Sequence, residues 1–570
     1  AMVLKRKEDA QRDGNRIIAV VKSVGRATLT TPGDKNAAVD AYRRAMQSAW
    51  SESGLNMSDM GLLEANGSGN PEEDSIEAAA LAVTLPAKEI SAENLFQSND
   101  QLCALTSSKS FIGHTGCAAG LFSLARAAVS LYQQILPRQH ALKNPLPELQ
   151  KREDFFFTPS EPQYWLRNRI QGTRTAGVSS FTIDGNYYHV VLQAFENEEQ
   201  LSADTGKLVE QSRVYPAGGP DESLFIVGGI NACDTRERLA ALRNMADRPT
   251  RELAREYWQH YAPGTDATSI AGIVADSPAT LRRRIEIALN HLYNNESQPL
   301  PANPDIQDRV FYNPRPNAAQ GKITFAFPGS GNHFLGMGTA LGLTWPEHLR
   351  RLDEQYELLA AQFAPRLTVP WRLSYAEGWQ EDAMRRLLAD HNSLVFSHVS
   401  CCALVSDIVR SFGIEPQIVM GYSLGETAGN FATRNWRERD EMVRRMRSSN
   451  LFTTELIGRY NSPRKHWGLS ENDEIEWYLG VLYSPAEKVE KLLPDFPQTY
   501  ILIENTPEEC VIGGNRAQVE KLAKAVGKAF FPLDGVSSVH CEAALPSAED
   551  YRALHLYDCH PPAGMTYISS

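Results

Sequence analysis

Features that would place the chain in several specialised classes of protein are missing or rare. Its 570 residues include eight cysteines, with no CxxC pair and no Cys/His cluster at zinc spacing. No stretch approaches about 18 consecutive apolar residues, and the opening residues lack the apolar run of a secretory signal. The net charge of −12 provides no basic field for nucleic acid. We therefore expect reduced thiols, no metal, no nucleic-acid or membrane partner, and a cytoplasmic location.

The composition that is present is that of an ordinary folded protein of several domains, with 42% hydrophobic and 22% charged residues. Composition shifts divide it into residues 2–195, 196–320 and 321–570, each with an α/β pattern. The last block has two apolar strands that end in glycine-rich turns before helices, which predicts a parallel sheet with a site at its carboxyl edge. Within it, residues 468–533 follow a βαββαβ order, which indicates a ferredoxin-like insertion.

The sharpest motif is the G-x-S-x-G sequence of residues 421–425, directly after the strand PQIVM. Glycine at both ends permits a strained elbow that exposes the hydroxyl of Ser423. The helix predicted after it would point its positive end at a developing oxyanion. The alternative is a plain turn between strand and helix, but the flanking elements favour a nucleophile.

A serine nucleophile needs a base, and the chain offers 13 histidines. His540 follows the last strand of the insertion and a glycine-containing turn, where the chain is expected to return to the sheet, so it is the candidate base. His391 and His398 precede the elbow on a helical stretch and are predicted to be packing or surface residues.

Acyl-enzyme chemistry also needs two donors for the oxyanion. The amide of Leu424, directly after the serine, is one candidate. The other is the amide of Ser330, in the turn PGSGN that follows the strand KITFAF. This turn lacks the Gly-Lys-Ser/Thr of a phosphate-binding loop, so nucleotide binding is not expected.

The segments FAFPGSGNHFLGMG, GYSLGE and VHCEAALP, in that order, resemble the acyltransferase (malonyl transacylase-like) domain of polyketide and fatty-acid synthases. The resemblance is strongest to polyunsaturated fatty-acid synthases and related glycolipid synthases. It implies that a thioester acylates Ser423, that His540 is the base, and that the amides of Leu424 and Ser330 form the oxyanion hole. It also implies that Asn505 lies near the catalytic histidine. Coenzyme A (CoA) and phosphopantetheine thioesters are then substrates, no cofactor is required, and an acyl carrier protein and a condensing enzyme are partners.

Two departures from the acyltransferase pattern concern the substrate. Tyr422 stands where family members that load malonyl groups usually have histidine. Their carboxylate-binding arginine lies near the position of Arg447, but out of phase by one residue, so Arg447 is either a carboxylate ligand or part of a solvated helix face. The basic run of residues 437–447 is the expected docking patch for an acidic carrier protein.

The first block resembles the C-terminal half of a ketosynthase, a thiolase fold, in four segments that include EANGSGNP and SSKSFIGHTGCAAG. Asn66 replaces the usual catalytic histidine, whereas Lys109 and His114 match the lysine and the second histidine. The half that carries the nucleophilic cysteine is not in the sequence, so we expect a scaffold rather than condensation. Residues 196–320 would be the linker domain between ketosynthase and acyltransferase.

The resemblance also predicts how the chain is completed. The family's acyltransferase continues further past the histidine than this sequence does. Apolar surface of the ketosynthase-like half is expected to be covered by another chain or by further residues, and a homodimer is one option.

Three functions remain open from the sequence. The leading one is acyl transfer through an acyl-serine to a carrier-protein phosphopantetheine. The second is thioester hydrolysis, in which water releases a finished long-chain acyl group. The third is a docking subunit of a synthase, in which the serine has no catalytic role.

Overall fold

The structure is a computed structural model of the full chain. It describes residues 2–86, 102–140, 142–182, 184–196, 209, 212–213, 221–301, 303, 306–314, 321–369, 371–535 and 537–569. The chain forms two compact units, one of residues 1–217 and 324–570 and the other of residues 218–323. The predicted ketosynthase-like and acyltransferase-like blocks therefore share one unit, and the described part of the predicted linker lies in the other from residue 221 onward.

The N-terminal part of the larger unit is a mixed sheet covered by helices on both faces. The strands are β1 Val20–Thr28, β2 Leu62–Glu64, β3 Cys103–Thr106, β4 Ile135–Leu136, β5 Phe156–Phe157, β6 Gln163–Tyr164, β7 Thr175–Phe181 and β8 Asn186–Gln193, and the helices are α1 Lys7–Arg12, α2 Lys35–Ser53, α3 Pro71–Thr84, α4 Lys109–Ile112, α5 Ala119–Gln133 and α6 Pro147–Gln150. The main sheet has the order β1-β8-β7-β2-β3-β5, with β2, β3, β5 and β7 parallel. The cluster that includes Met46 packs α2 and α3 on one face, and the cluster that includes Leu131 packs α5 on the other.

Helix α5 also presents apolar side chains to solvent. Phe122 and Val129 are about half exposed, as are Phe111 and Ile112 of the short helix α4. Together they line an open, apolar groove of about 900 Å³. Exposed apolar surface in this block was expected from the sequence, and this groove is where it lies.

The smaller unit is an antiparallel sheet packed on helices. Its strands are β9 Ser223–Gly229, β10 Ser269–Ala275 and β11 Val310–Tyr312, in the order β11-β10-β9, and its helices are α7 Ala232–Met245, α8 Thr250–Tyr261 and α9 Pro278–Asn295. Ser277 starts α9 with a capping box, because its hydroxyl and that of Thr280 each bond the other residue's amide. The unit thus has the α/β pattern that the sequence predicts for this block.

The C-terminal part of the larger unit is built on three parallel strands, β12 Thr324–Phe327, β13 Ile418–Gly421 and β18 Thr566–Ile568, with β13 in the middle. The helices are α10 Thr339–Thr344, α11 Pro346–Gln355, α12 Leu359–Phe363, α13 Pro365–Thr368, α14 Trp379–Ala389, α15 His391–Ser411, α16 Leu424–Ala432, α17 Arg439–Ser448, α18 Asn461–Trp467, α19 Ala486–Glu490, α20 Arg516–Val526 and α21 Ala548–His555. By length and composition α15 could cross a membrane, but 67% of its apolar window is buried in the protein, as in a core helix.

The predicted insertion is a separate antiparallel sheet of β14 Trp477–Leu482, β15 Thr499–Thr506, β16 Glu509–Asn515 and β17 Phe530–Pro532. Its spatial order, β15-β16-β14-β17, is the one that a βαββαβ unit gives when both helices cover one face. The predicted fold class, a thiolase-like half, a small α/β domain and an acyltransferase-like parallel sheet with a ferredoxin-like insertion, is confirmed.

A shared core joins the N-terminal and C-terminal parts of the larger unit. Ile135 and Tyr164 pack in one cluster with Leu404 of α15. The buried Arg174 guanidinium also donates to the carboxylate of Asp353 at 2.9 Å. A buried apolar cluster and a buried ion pair of this kind make the two parts one folding unit.

Candidate active site

Ser423 lies on a sharp turn between β13 and α16. Its backbone has φ 53° and ψ −116°, a conformation that a non-glycine residue adopts only under strain. The turn is tight because glycines flank it. A Cβ on Gly421 would lie 2.1 Å from the amide nitrogen of Glu426, and one on Gly425 would lie 2.1 Å from the carbonyl oxygen of Phe327. The predicted elbow is therefore present, and both glycines are required sterically.

The hydroxyl of Ser423 lies 2.7 Å from Nε2 of His540. The backbone of His540 also has a positive φ, 65°, so the ring is held in place by a strained loop. Desolvation around the ring lowers the pKa of His540 below its ordinary value of 6.5, an effect that the carboxylate of Glu426 partly opposes. At neutral pH the imidazole is neutral and can accept the proton of the serine.

The two predicted oxyanion donors lie at neighbouring strand ends. Phe327, the last residue of β12, pairs with Gly421, the last residue of β13, so the turns that follow are side by side. The amide of Leu424 is in the first turn of α16, where an amide has no acceptor within its own helix. Ser330, Ser423 and Leu424 all line the same pocket.

Helix α15 holds the turn that carries Ser330. Nε2 of the buried His398 donates to the carbonyl oxygen of Pro328 at 2.8 Å, and Nε2 of His333 donates to the carbonyl oxygen of Leu394 at 2.8 Å. His398 is thus a packing residue, as predicted, with the added effect of positioning the loop.

Asn505 contacts the residue before the nucleophile. The hydroxyl of Tyr422 donates to Oδ1 of Asn505 at 2.9 Å, and Nδ2 of Asn505 donates to Glu509 at 2.7 Å. Tyr422 and Asn505 therefore tie the ferredoxin-like insertion to the elbow. The partner of Asn505 at the elbow is Tyr422, and its expected proximity to His540 stays a prediction.

A pocket that is partly open to solvent lies beside Ser423, and its volume is about 700 Å³ when the open solvent space is included. Most of its lining is apolar or aromatic and comes from four helices and the segment before His540. The lining residues are Ser330, His391, Val395, Ser423, Leu424, Thr427, Phe431, Met442, Met446, Phe452, Ser537, Val539, Tyr551, Leu554, His555 and Tyr557. The pocket opens onto the nucleophile and is suited to an acyl chain.

His391, predicted to be a packing or surface residue, is one of several lining residues that sequence reasoning did not place at the site. Its side chain is buried, stacks on Phe452 with ring centroids 5.3 Å apart, and faces the pocket. Burial lowers the pKa of His391 to about 4, so the ring is neutral at physiological pH. The sequence offered no signal that His391 lines a pocket. Helical periodicity indicates that a residue lies on a buried face of a helix, but it does not show whether that face borders a pocket.

None of the arginines of helix α17 is among the described residues that line the pocket. Arg447, the candidate carboxylate ligand, is absent from the lining, and its guanidinium lies 6.0 Å from the ring centroid of Phe396. Arg445 donates to Glu441 at 2.9 Å. Arg439 is fully buried over the ring of Tyr356, so it cannot belong to the exposed docking patch predicted for residues 437–447.

Part of the chain matches the model of a known domain family. Residues 18–143 match the family described as beta-ketoacyl synthase, C-terminal domain. This segment spans β1 to α5 of the mixed sheet, which supports the resemblance seen in the first block.

Relatives that cover more of the chain are polyketide synthases. The chain is 25% identical over 95% of its length to the pikromycin polyketide synthase component PikAII of Streptomyces venezuelae, and 27% identical over 75% to the polyketide synthase GfsE of Streptomyces halstedii. The chain spans only 13% and 10% of the lengths of these relatives. The chain is thus similar to segments of polyketide synthases.

The solved structures that match include an acyl transferase domain and a ketosynthase. The acyl transferase domain of SpnD, in complex with 2-(pent-4-yn-1-yl)malonyl, matches 62% of this chain and 74% of its own chain, at 16% identity and a TM-score of 0.43. The ketosynthase of module 6 of the bacillaene synthase from Bacillus subtilis 168 matches 50% of this chain and 48% of its own, at 19% identity and a TM-score of 0.28.

The ketosynthase-like part retains a small polar cluster. The side-chain amine of Lys109 donates to the backbone carbonyl oxygen of the buried Asn66 at 2.5 Å and to its Oδ1 at 3.2 Å. The amide of Asn66 donates to the buried carboxylate of Glu77 at 2.9 Å. His114 is exposed, and its Nδ1 accepts from the amide of Gly116. The structure thus brings Asn66 and Lys109 together and places His114 on the surface.

Proposed function

We propose that the chain transfers an acyl group from a CoA or carrier-protein thioester, through an ester on Ser423, to the phosphopantetheine thiol of an acyl carrier protein. The observation that carries this proposal is the 2.7 Å contact between the Ser423 hydroxyl and Nε2 of His540 on a strained elbow beside an acyl-sized pocket. The similarity of the chain to polyketide synthases supports the same class of reaction.

The chemistry follows from the positions of these groups. His540 accepts the proton of Ser423 as its oxygen attacks the thioester carbonyl carbon. The amides of Leu424 and Ser330 stabilise the tetrahedral oxyanion. When the oxyanion collapses, the carbon–sulfur bond breaks and protonated His540 gives its proton to the leaving thiol. The carrier thiol then attacks the acyl-serine by the same steps in reverse.

The proposal includes the biological setting. Thioesters of CoA and phosphopantetheine are substrates and not cofactors, a condensing enzyme is a partner, and the protein is cytoplasmic. The sequence motifs favour polyunsaturated fatty-acid synthesis, whereas the relatives that cover most of the chain are polyketide synthases, and one transfer step serves both pathways. The ketosynthase-like part acts as a scaffold, because its lysine is bound to Asn66 and His114 is exposed.

The test is intact-protein mass spectrometry after brief incubation with acyl-CoA donors. Wild-type protein is expected to gain one acyl group, whereas Ser423→Ala gains none and His540→Ala gains it at least about 100-fold more slowly. Ser411→Ala, at the end of helix α15, is the matched control and should label as the wild type does. Acylation that persists in Ser423→Ala would refute the proposal.

Two other functions give different outcomes in the same experiment. If water hydrolyses the acyl-serine, free acid accumulates even when no thiol acceptor is present. A rate of acid release that does not change when carrier protein is added would favour the hydrolase. If no donor labels the wild-type protein while a complex with a condensing enzyme forms normally, the chain is a docking subunit.

A further inference from the structure

The lining of the pocket beside Ser423 carries no charged side chain among the described residues. Its polar members are serine, threonine, tyrosine and histidine, and the rest are apolar. Both lining histidines have lowered pKa values because of burial, to about 4 for His391 and below 6.5 for His555. At neutral pH the pocket therefore offers hydrogen-bonding groups but no cation.

Two charged residues beside the pocket, Glu426 and Arg445, do not supply a free cation. Glu426 is an anion whose field acts on both His540 and Tyr551. Arg445 packs over the ring of Tyr557 at 4.6 Å, but Glu441 and the carbonyl oxygen of Leu556 bind its guanidinium. A carboxylate in this pocket would lose its hydration without gaining a partner of opposite charge, which is unfavourable.

His391 is the group at the centre of this discrimination. It is 5% exposed, and its Nδ1 has no hydrogen-bond partner among the described residues. A neutral imidazole can pair with a hydroxyl or carbonyl group of a ligand, but it cannot neutralise a carboxylate. An acyl chain that is apolar or carries an uncharged oxygen fits this environment, whereas a malonyl-type acyl group does not.

We propose that the acyl group carried by Ser423 is an uncharged acyl chain without a free carboxylate, and that His391 is a specificity-determining residue of its pocket. This inference rests on the proposed acyl transfer and deepens it, because it names the class of substrate. It assigns the chain to the transfer of a starter, intermediate or finished acyl chain rather than to the loading of a dicarboxylic extender unit.

The test measures binding apart from chemistry. Ser423→Ala protein, which cannot be acylated at that position, is titrated by calorimetry at neutral pH with hexanoyl-pantetheine and with malonyl-pantetheine. The hexanoyl probe is expected to bind at least about tenfold more tightly, since a buried, unpaired carboxylate is disfavoured. Equal binding of the two probes, tighter binding of malonyl-pantetheine or no binding of either would overturn the inference.

A second measurement asks whether the missing cation is the cause. His391→Arg in the Ser423→Ala background places a guanidinium in the pocket and is expected to shift the preference towards malonyl-pantetheine by about tenfold. If circular dichroism shows that the His391→Arg protein is not folded, Thr427→Lys, on the partly exposed side of the lining, introduces the cation instead. A folded variant with an unchanged preference would refute the electrostatic cause.

The two proposals fail separately. If wild-type Ser423 accepts malonyl and not hexanoyl groups, acyl transfer stands and the assignment of an uncharged chain is wrong. If Ser423→Ala prefers hexanoyl-pantetheine but no donor labels the wild-type serine, the pocket assignment stands and acyl transfer is wrong.

Discussion

Gly425→Ala is the substitution that tests the elbow most directly, because two general rules predict opposite changes in the free energy of unfolding. Alanine in place of glycine within a helix favours folding by about 1 kcal/mol. At this position, however, a Cβ would lie 2.1 Å from the carbonyl oxygen of Phe327 and 2.8 Å from that of Pro328. Both oxygens belong to the backbone, so the strand end or the elbow must move.

Overpacking of this kind destabilises a protein by about 1–3 kcal/mol, and contact with two backbone atoms places the cost at the upper end. After the helical gain, we expect the free energy of unfolding to fall by about 2 kcal/mol. The acylation rate should fall further, by about 100-fold, because a shift near 1 Å separates Ser423 from its base and oxyanion donors.

The assays are chemical denaturation and the rate of acyl-serine formation by mass spectrometry. Gly272→Ala is the matched control, since its Cβ would meet the ring of Phe311 at an ordinary 3.4 Å. It should leave the acylation rate unchanged and should not lower the free energy of unfolding. A Gly425→Ala protein as stable and as reactive as the wild type would refute the steric reasoning.

Three further predictions concern the site and the core. The acylation rate should rise with pH through an inflection below pH 6.5 and then stay level, because His540 must be neutral to act as a base and its pKa is lowered. An inflection above pH 6.5 in the rate–pH profile would contradict this prediction. Tyr422→Phe and Asn505→Ala should each slow acylation by less than about tenfold and be non-additive in a double-mutant cycle, since each removes the same hydrogen bond. Leu404→Ala should lower the free energy of unfolding by about 2–5 kcal/mol in urea titrations, and a change below about 0.5 kcal/mol would count against a shared core.

The elements that local sequence specifies were predicted correctly. The βαββαβ insertion, the parallel strands before PGSGN and GYSLGE, and the elbow at Ser423 all follow from hydrophobic periodicity and glycine placement. The pairing of Ser423 with His540 was predicted from chain order and motif resemblance. In each case the information lies within a few residues or in a motif that chemistry constrains.

Helix α17 shows where such reasoning fails. Its run of arginines reads as one solvated or ligand-binding face, yet Arg439 is fully buried on Tyr356 and Arg447 lies near Phe396 outside the pocket lining. A helix that is polar on average still buries the face that neighbouring elements cover. Residues distant in sequence decide which face that is.

The sequence by itself therefore determined the α/β class and the pairing of Ser423 with His540, because strand–turn–helix patterns and the G-x-S-x-G motif are encoded locally. Only the tertiary structure decided which side chains line the pocket beside Ser423. Packing of helices α15, α16, α17 and α21 brings His391 to the pocket and leaves Arg447 out of its lining. Packing of α15 against Ile135 and Tyr164 helps to join the first and last blocks in one unit. Charge at a binding site depends on the three-dimensional arrangement of residues from several elements, and no local pattern records it.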